Sequence, residues 1–406
     1  MKFLVAQIGA RRAYAVPAIL EQAGMLERFY TNVAGNVGVG SLIAGVAALA
    51  FVHGRAERLA QRRIPESIRN KTFTFPAPGL ALGLSRALHP RSRAAAFRNA
   101  TRYSDSLGRA MARRGLGEAT HVYSMLGECG PLLVEAKKRG LKVMSEVYIL
   151  LSTERILAEE RKRFPDWEPD APDFAALRQE LGDSDLMLRF SDHFICPSKA
   201  VRNDLVQNFG VAKEKTATVP YGMDPELFSS RNEPVPGRVL FAGTADLRKG
   251  IHYFAMSTEI LAARNKKYEF RVAGNVSRRI AERDECRHLT FFGRVPRSRI
   301  QEEFRVADAF VLPSLAEGSA EVIYEALAAG VPVVTTPEAG SVVRDGVEGR
   351  IVPCRDPEAL ADAIVEVVED REKHERMSHA ARERAKAFTW ERYGERLVAA
   401  LRSLPQ

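Results

Sequence analysis

The sequence predicts two α/β domains in tandem, each a doubly wound parallel sheet. Three observations carry that expectation. The chain has 406 residues, more than a single hydrophobic core organises, so two domains are the natural prior. Short runs rich in Val and Phe alternate with helical patterns, as in repeated βα units. A glycine follows the first strand-like run of each series, at Gly9 and at Gly243, with a helical pattern beyond it.

The first series opens with KFLVAQI (2–8), a buried-strand pattern ended by Gly9. Ala10, Arg11 and Arg12 lead into the helical pattern YAVPAILEQAG, closed by Gly24. Further strands are expected at HVYSM (121–125), LKVMSEV (141–147), HFICPS (193–198) and TATVP (216–220). Helical patterns at 131–140 and 198–210 separate them, each stopping at a glycine that suits the residue after a helix. Ser198 is placed to cap the second of these helices, and His121 reads as a structural residue at a strand end. The charged segment 155–185 carries PDWEPDAPD and reads as an excursion from the sheet, near the cleft or the surface.

The second series runs through GRVLFAG (237–243), YEFRVAG (268–274), HLTFFGRV (288–295), ADAFVLPS (307–314), VPVVTT (331–336) and GRIVP (349–353). The turn-rich stretch 219–237 between the two series is the expected linker. Helices around 356–385 precede a last one in 388–404, with Thr389 as its N-cap. The expected units are therefore 1–218, 219–385 and a C-terminal helix in 386–406.

Composition narrows the class. Apolar residues make up 46% of the chain, ordinary for a globular protein. The four cysteines, at 129, 196, 286 and 354, form no Cys-x-x-Cys, so neither a zinc site nor a disulfide framework is indicated. A reducing cytoplasm fits that usage. The N-terminal apolar run is short and strand-like, unlike a signal peptide. The uncharged stretch from Tyr30 to His53 approaches a membrane span in length, but four glycines and two asparagines dilute it. A loop followed by a buried or interfacial helix is expected there.

The net charge is +9, and residues 50–115 hold 14 Lys and Arg against Glu57, Glu66 and Asp105. Such a block suits an anionic membrane surface or a phosphate-bearing partner, and equally a solvated basic face. No recognition helix, zinc finger or aromatic-interleaved motif points to nucleic acid.

The most informative stretch is 313–353, PSLAEGSAEVIYEALAAGVPVVTTPEAGSVVRDGVEGRIVP. Glu317 and Glu325 stand eight positions apart, with the small turn Gly318, Ser319, Ala320 opening a helix between them. A helix N-terminus beside a glycine turn offers free N–H groups to a phosphate. Carboxylates at either end of it can accept hydrogen bonds from sugar hydroxyls. Together they describe a nucleotide-sugar site. A second cationic source is Arg248 and Lys249 in FAGTADLRKG (241–250), and a third is Gly9 with Arg11 and Arg12. Neither glycine turn carries a P-loop or a dinucleotide fingerprint.

The 313–353 stretch resembles the C-terminal signature of glycosyltransferase family 4, retaining enzymes of the GT-B fold. The fold implied is two Rossmann-like domains facing across a cleft. The resemblance is strongest over about 215–404, where PYGMDPELF and the Thr389-Trp390-Glu391 helix also match the family's pattern. It implies that Glu317 contacts donor-sugar hydroxyls and Glu325 the ribose. Gly318, Ser319 and Ala320 would lie at the donor. Lys249 would bind the diphosphate beside Gly243, with Arg248 supplying charge where many members carry an Arg at the position of Thr244. Arg294, in FGRV, would lie near the nucleobase. The family's sugar-contacting His is missing at the strand end 144–147, where Glu146 stands.

The implied activity is transfer of a sugar from a nucleoside-diphosphate sugar to a glycan or lipid-linked acceptor. No metal cofactor is expected, because cations and a helix dipole can neutralise the diphosphate. A nucleotide-sugar epimerase, a phosphorylase and a non-catalytic nucleotide-sugar or nucleic-acid binder are the alternatives.

Overall fold

The structure, a computed structural model, describes residues 1–42, 60–79, 92–181, 186–224 and 232–404. Two parallel sheets dominate it. The first contains β1 (Phe3–Ala6), β2 (Leu26–Thr31), β3 (Thr72–Thr74), β4 (His121–Met125), β5 (Lys142–Glu146), β6 (His193–Cys196) and β7 (Thr216–Thr218). Its order is β3-β2-β1-β4-β5-β6-β7. The second contains β8 (Arg238–Ala242), β9 (Glu269–Ala273), β10 (Leu289–Gly293), β11 (Ala309–Leu312), β12 (Val333–Thr335) and β13 (Gly349–Ile351). Its order is β10-β9-β8-β11-β12-β13.

The central strands β1 and β11 are buried on both faces, which is why they read as the continuous apolar runs FLVA and AFVL rather than as alternating ones. In both sheets the order reverses beside the first strand, between β1 and β4 and between β8 and β11. Loops leaving the carboxyl ends of such a strand pair diverge and open a crevice. The α/β architecture expected from the sequence is thus present, built from a seven-stranded and a six-stranded sheet.

Two strands, β2 and β3, depart from the sequence reading. Leu26–Thr31 forms β2, so Tyr30 and Thr31 end a strand where a loop was expected. Glu27 and Arg28 interrupt its apolar run, and its outer neighbour β3 is only 3 residues long. Residues 43–59 of the uncharged stretch and its surroundings lie outside the described residues. Among the described residues no helix is long and apolar enough to cross a membrane.

The chain crosses between the two sheets twice, side by side. Met223 N–H donates to Phe388 O at 2.8 Å. A Cβ on Gly222 would lie 2.8 Å from Thr389 O, so only glycine lets the strands of this crossing touch. Thr389 Oγ1 caps the helix Trp390–Ser403 through Arg392 N–H, and that helix packs on Ala15–Gln22. Arg396 in it donates to the carbonyls of Pro220 and Tyr221. The excursion after β5 forms the helices Thr153–Arg163 and Phe174–Glu180, and the first reaches across to the second sheet's layer.

Candidate functional site

The two crevices face one another across a cleft of about 570 Å³. The N-terminal half contributes Arg11, Arg12 and Tyr148 to its wall. The C-terminal half contributes Gly243, Lys249, Arg294, Glu317, Ser319, Ala320 and Glu325. Of the residues singled out from sequence, Arg248, Gly318, Gly9 and Glu146 stand behind that wall rather than on it.

Lys249 is aimed by glycines. Gly243 (φ +137°) ends β8, and a Cβ there would approach the Lys249 stem at 3.0 Å. Gly250 (φ +73°) opens the helix Ile251–Ala263, and a Cβ there would meet Pro313 O at 2.0 Å. Leu315 N–H donates to Arg248 O at 2.8 Å, tying the loop after β8 to the loop after β11. The result is a convergence of charge. Lys249 Nζ and Arg248 Nη1 each lie 2.6 Å from Glu317 Oε1. Arg248 also reaches Ala316 O at 3.2 Å, which holds it behind Lys249.

The helix Glu321–Ala329 starts at the cleft without a side-chain cap. Ser319, the nearest hydroxyl, is engaged with Tyr324 Oη at 2.9 Å instead. Glu321 and Val322, the first two residues of the helix, line the cleft with the positive end of the helix dipole behind them, while Ile323 N–H donates to Ala320 O at 3.0 Å. The turn before the helix is also a seam between the halves. A Cβ on Gly318 would lie 1.8 Å from Tyr148 O, and Gly318 O accepts a hydrogen bond from Ser198 Oγ. Ser198 does cap its helix, as expected, through Val201 N–H.

Glu325 sits one helical face further along, with its side chain 26% exposed. Burial pushes its pKa up to about 7; Arg297, at 3.9 Å, pulls it down and Glu321 pushes it up. Hydrogen-bond donors brought to this carboxyl would favour its ionised form.

The N-terminal turn is built differently. Gly9 (φ +77°) donates its N–H to Asn32 Oδ1 at 3.0 Å. Arg12, Ala13 and Tyr14 follow in left-handed conformation, with φ of +46°, +49° and +64°. Each costs about 1–2 kcal/mol against the right-handed form. The turn drives Arg12 under the cleft. There its guanidinium pairs with Glu146, which also accepts from Tyr123 Oη at 2.7 Å and Tyr221 Oη at 3.3 Å. Burial opposes the Arg12 charge, yet Glu146 and the surrounding tyrosines hold its pKa well above the ordinary value. Glu146 is 1% exposed and lies behind the cleft wall, already engaged by these donors. Arg11 pairs with Glu128 at 2.9 Å and lies 4.0 Å over the Tyr148 ring.

Sequence reasoning missed Glu128 and Tyr148. Glu128 follows a glycine after β4, the partner strand at the switch point, and that placement was the available signal. Burial raises its pKa, while Arg11 and the Ile8 N–H lower it. His121 is buried with its ring 5.0 Å from Phe3, and burial lowers its pKa. Arg294 is exposed at the cleft rim.

Comparison with known proteins bears on the family and the fold. The family profile described as glycosyl transferases group 1 matches residues 225–384. That described as glycosyltransferase family 4 matches 156–227. Among curated proteins, a D-inositol 3-phosphate glycosyltransferase of Corynebacterium urealyticum is 28% identical over 53% of this chain and 57% of its own length. A glycogen synthase of Mycobacterium tuberculosis is 26% identical over 61% of this chain and 62% of its own. The matches thus span about three-fifths of these relatives. Among solved structures, sucrose-phosphate synthase from Thermosynechococcus elongatus aligns with a TM-score of 0.63 at 16% identity, covering 100% of this chain and 99% of that one. Anabaena HepE, solved with UDP-glucose, gives 0.62 at 18% over the full length of both. With profile matches running unbroken from residue 156 to 384 and a fold matched end to end, the chain belongs to glycosyltransferase family 4, the glycosyl transferases group 1, with the GT-B fold.

Proposed function

We propose that this chain is a retaining glycosyltransferase. It moves a sugar from a nucleoside-diphosphate sugar to a glycan or lipid-linked acceptor, in the assembly of a polysaccharide, lipopolysaccharide or glycolipid. The observation that carries the reading is the convergence of Lys249 and Arg248 on Glu317, beside the uncapped helix at Glu321. The UDP-glucose complex of the structurally similar HepE supports a nucleotide-sugar donor.

The donor lies on the C-terminal half. Glu325 accepts from the ribose hydroxyls, and Arg294 lies beside the base. The diphosphate takes Lys249 and Arg248 away from Glu317, which frees that carboxylate for the sugar hydroxyls. As the bond from the sugar carbon to the diphosphate breaks, its electron pair settles on the leaving oxygen. Lys249, Arg248 and the first-turn amides are already aimed there, so little reorganisation is needed. The acceptor hydroxyl attacks from the same face and passes its proton to the leaving phosphate oxygen. The charge is neutralised by protein groups, with no metal ion assigned a part.

The acceptor lies against the N-terminal half, near Tyr148 and Arg11. The enzyme works at the cytoplasmic membrane face, held by basic residues within 50–115. Arg102, Arg109 and Arg113 support that part, being exposed at helical spacing on Arg93–Arg114. Co-sedimentation with anionic but not neutral vesicles checks it, and equal binding to both rules it out.

The direct test is a thermal-shift screen with UDP, GDP, ADP and their sugars, since a ligand of the native state raises apparent stability. One nucleotide series is expected to raise the midpoint, and its sugar to be discharged with release of the nucleoside diphosphate. No response to any of them rejects the reading.

A further inference from the structure

The loop that carries Arg248 and Lys249 is held from behind by the other half of the chain. Three contacts converge on it. Leu247 N–H, immediately before Arg248, donates to Glu168 Oε1 at 3.0 Å. His252 and Tyr253, just after the loop, both bond to Glu160 Oε1, at 3.0 and 2.5 Å. The other oxygen of Glu160 accepts from Arg355 at 2.7 Å, also in the C-terminal half. Glu160 and Glu168 belong to the helix Thr153–Arg163 and the turn after it, which leave the sheet of the N-terminal half after β5.

Aromatic packing seals the junction. The Trp167 ring is 3% exposed, with His252 at 5.6 Å, Phe164 at 6.3 Å and the Arg283 guanidinium at 4.6 Å. Glu168 is itself fixed, its second oxygen 3.4 Å from Arg161. A carboxylate with one oxygen on a loop amide and the other on an arginine has a single working position. None of these residues lines the cleft.

We infer that the segment 153–168 is a clasp across the two halves, and that Glu168 is a positioning residue for the diphosphate loop. It fixes the Leu247 amide, and through it the backbone that presents Arg248 and Lys249. The loop's other ties come from its own half: Ala245 N–H to Asn275 O at 2.7 Å, and Arg248 O to Leu315 N–H at 2.8 Å. Glu168 thus makes the geometry of the phosphate site depend on the packing of one half against the other. The inference rests on the nucleotide reading above.

The test is calorimetric titration of UDP, GDP and ADP, and of the matching monophosphates, into wild type and Glu168 variants. Glu168→Ala is expected to weaken the bound diphosphate about tenfold or more, and the monophosphate much less. Glu168→Gln keeps an acceptor oxygen for Leu247 and is expected to stay within about threefold of wild type. Glu168→Asp keeps the charge on an arm one methylene shorter, and is expected to follow Ala. It also covers the case in which Ala fails to fold. Trp167 supplies a second readout. In a Trp390→Phe background it is the remaining tryptophan of the two, and its emission is expected to shift red in the Ala and Asp variants. Diphosphate affinity unchanged in Ala and Asp overturns the clasp alone. Wild type that binds no diphosphate overturns the nucleotide reading and the clasp with it.

Discussion

The two halves of the molecule pose the same local problem and solve it in opposite ways. Each has a glycine turn after its first strand, two adjacent basic residues in that turn, and a switch point beside it. In the N-terminal half Arg11 and Arg12 each own a buried carboxylate, Glu128 and Glu146. In the C-terminal half Arg248 and Lys249 share one oxygen of Glu317. A cation with a private buried acid is a structural element, because removing its partner strands a charge in low dielectric. Two cations on a single oxygen have coordination to give to an arriving anion. The comparison teaches that adjacent basic residues in a glycine turn do not by themselves make a phosphate site. What decides is how many acids the fold assigns to them.

The largest expected effect is on catalysis from the C-terminal pair. Lys249→Ala should lower kcat/KM on the order of 10³-fold, about 4 kcal/mol of transition-state stabilisation, with its circular dichroism unchanged. Release of nucleoside diphosphate measures it. A loss below about tenfold would erase the asymmetry between the halves.

Arg12→Ala should instead strike stability, by about 3–5 kcal/mol in urea unfolding, because it leaves Glu146 buried and unpaired. The same variant losing activity at full stability would move Arg12 from scaffold to phosphate contact.

The smallest effect sharpens the comparison through pH. Glu325 is lifted to about 7 by burial, so the free enzyme holds its proton more tightly than the unfolded chain, whose value lies near 4.5. Stability therefore falls as pH rises from about 4.5 to 7, while donor affinity rises through pH 7 as the carboxylate forms. Glu325→Gln should flatten both profiles and weaken the donor about tenfold. A binding profile that keeps its inflection near 7 in that variant would assign the titration elsewhere.

The sequence made most strands legible because buried parallel strands are continuous apolar runs. β4, at 121–125, coincides with the segment expected. β2 escaped because Glu27 and Arg28 hide its period, and β3 because 3 residues are too few to show one. The C-terminal candidate site was legible as a grouping because its parts lie on two short stretches, 241–250 and 313–325, each running from strand through glycine to helix. The fate of Arg11 and Arg12 was not, since their acids lie 117 and 134 residues away and only the folded register joins them. The same holds for Glu160, which meets His252 at a separation of 92 residues. From sequence that segment is only a charged excursion.

The most direct measurement is a crystal structure with the nucleoside diphosphate that the screen selects. The account predicts the terminal phosphate within hydrogen-bonding distance of Lys249 Nζ and the amides opening the helix at Glu321, with Arg12 still on Glu146. A phosphate seated on Arg11 and Arg12, with Lys249 and Arg248 still paired to Glu317, would contradict it.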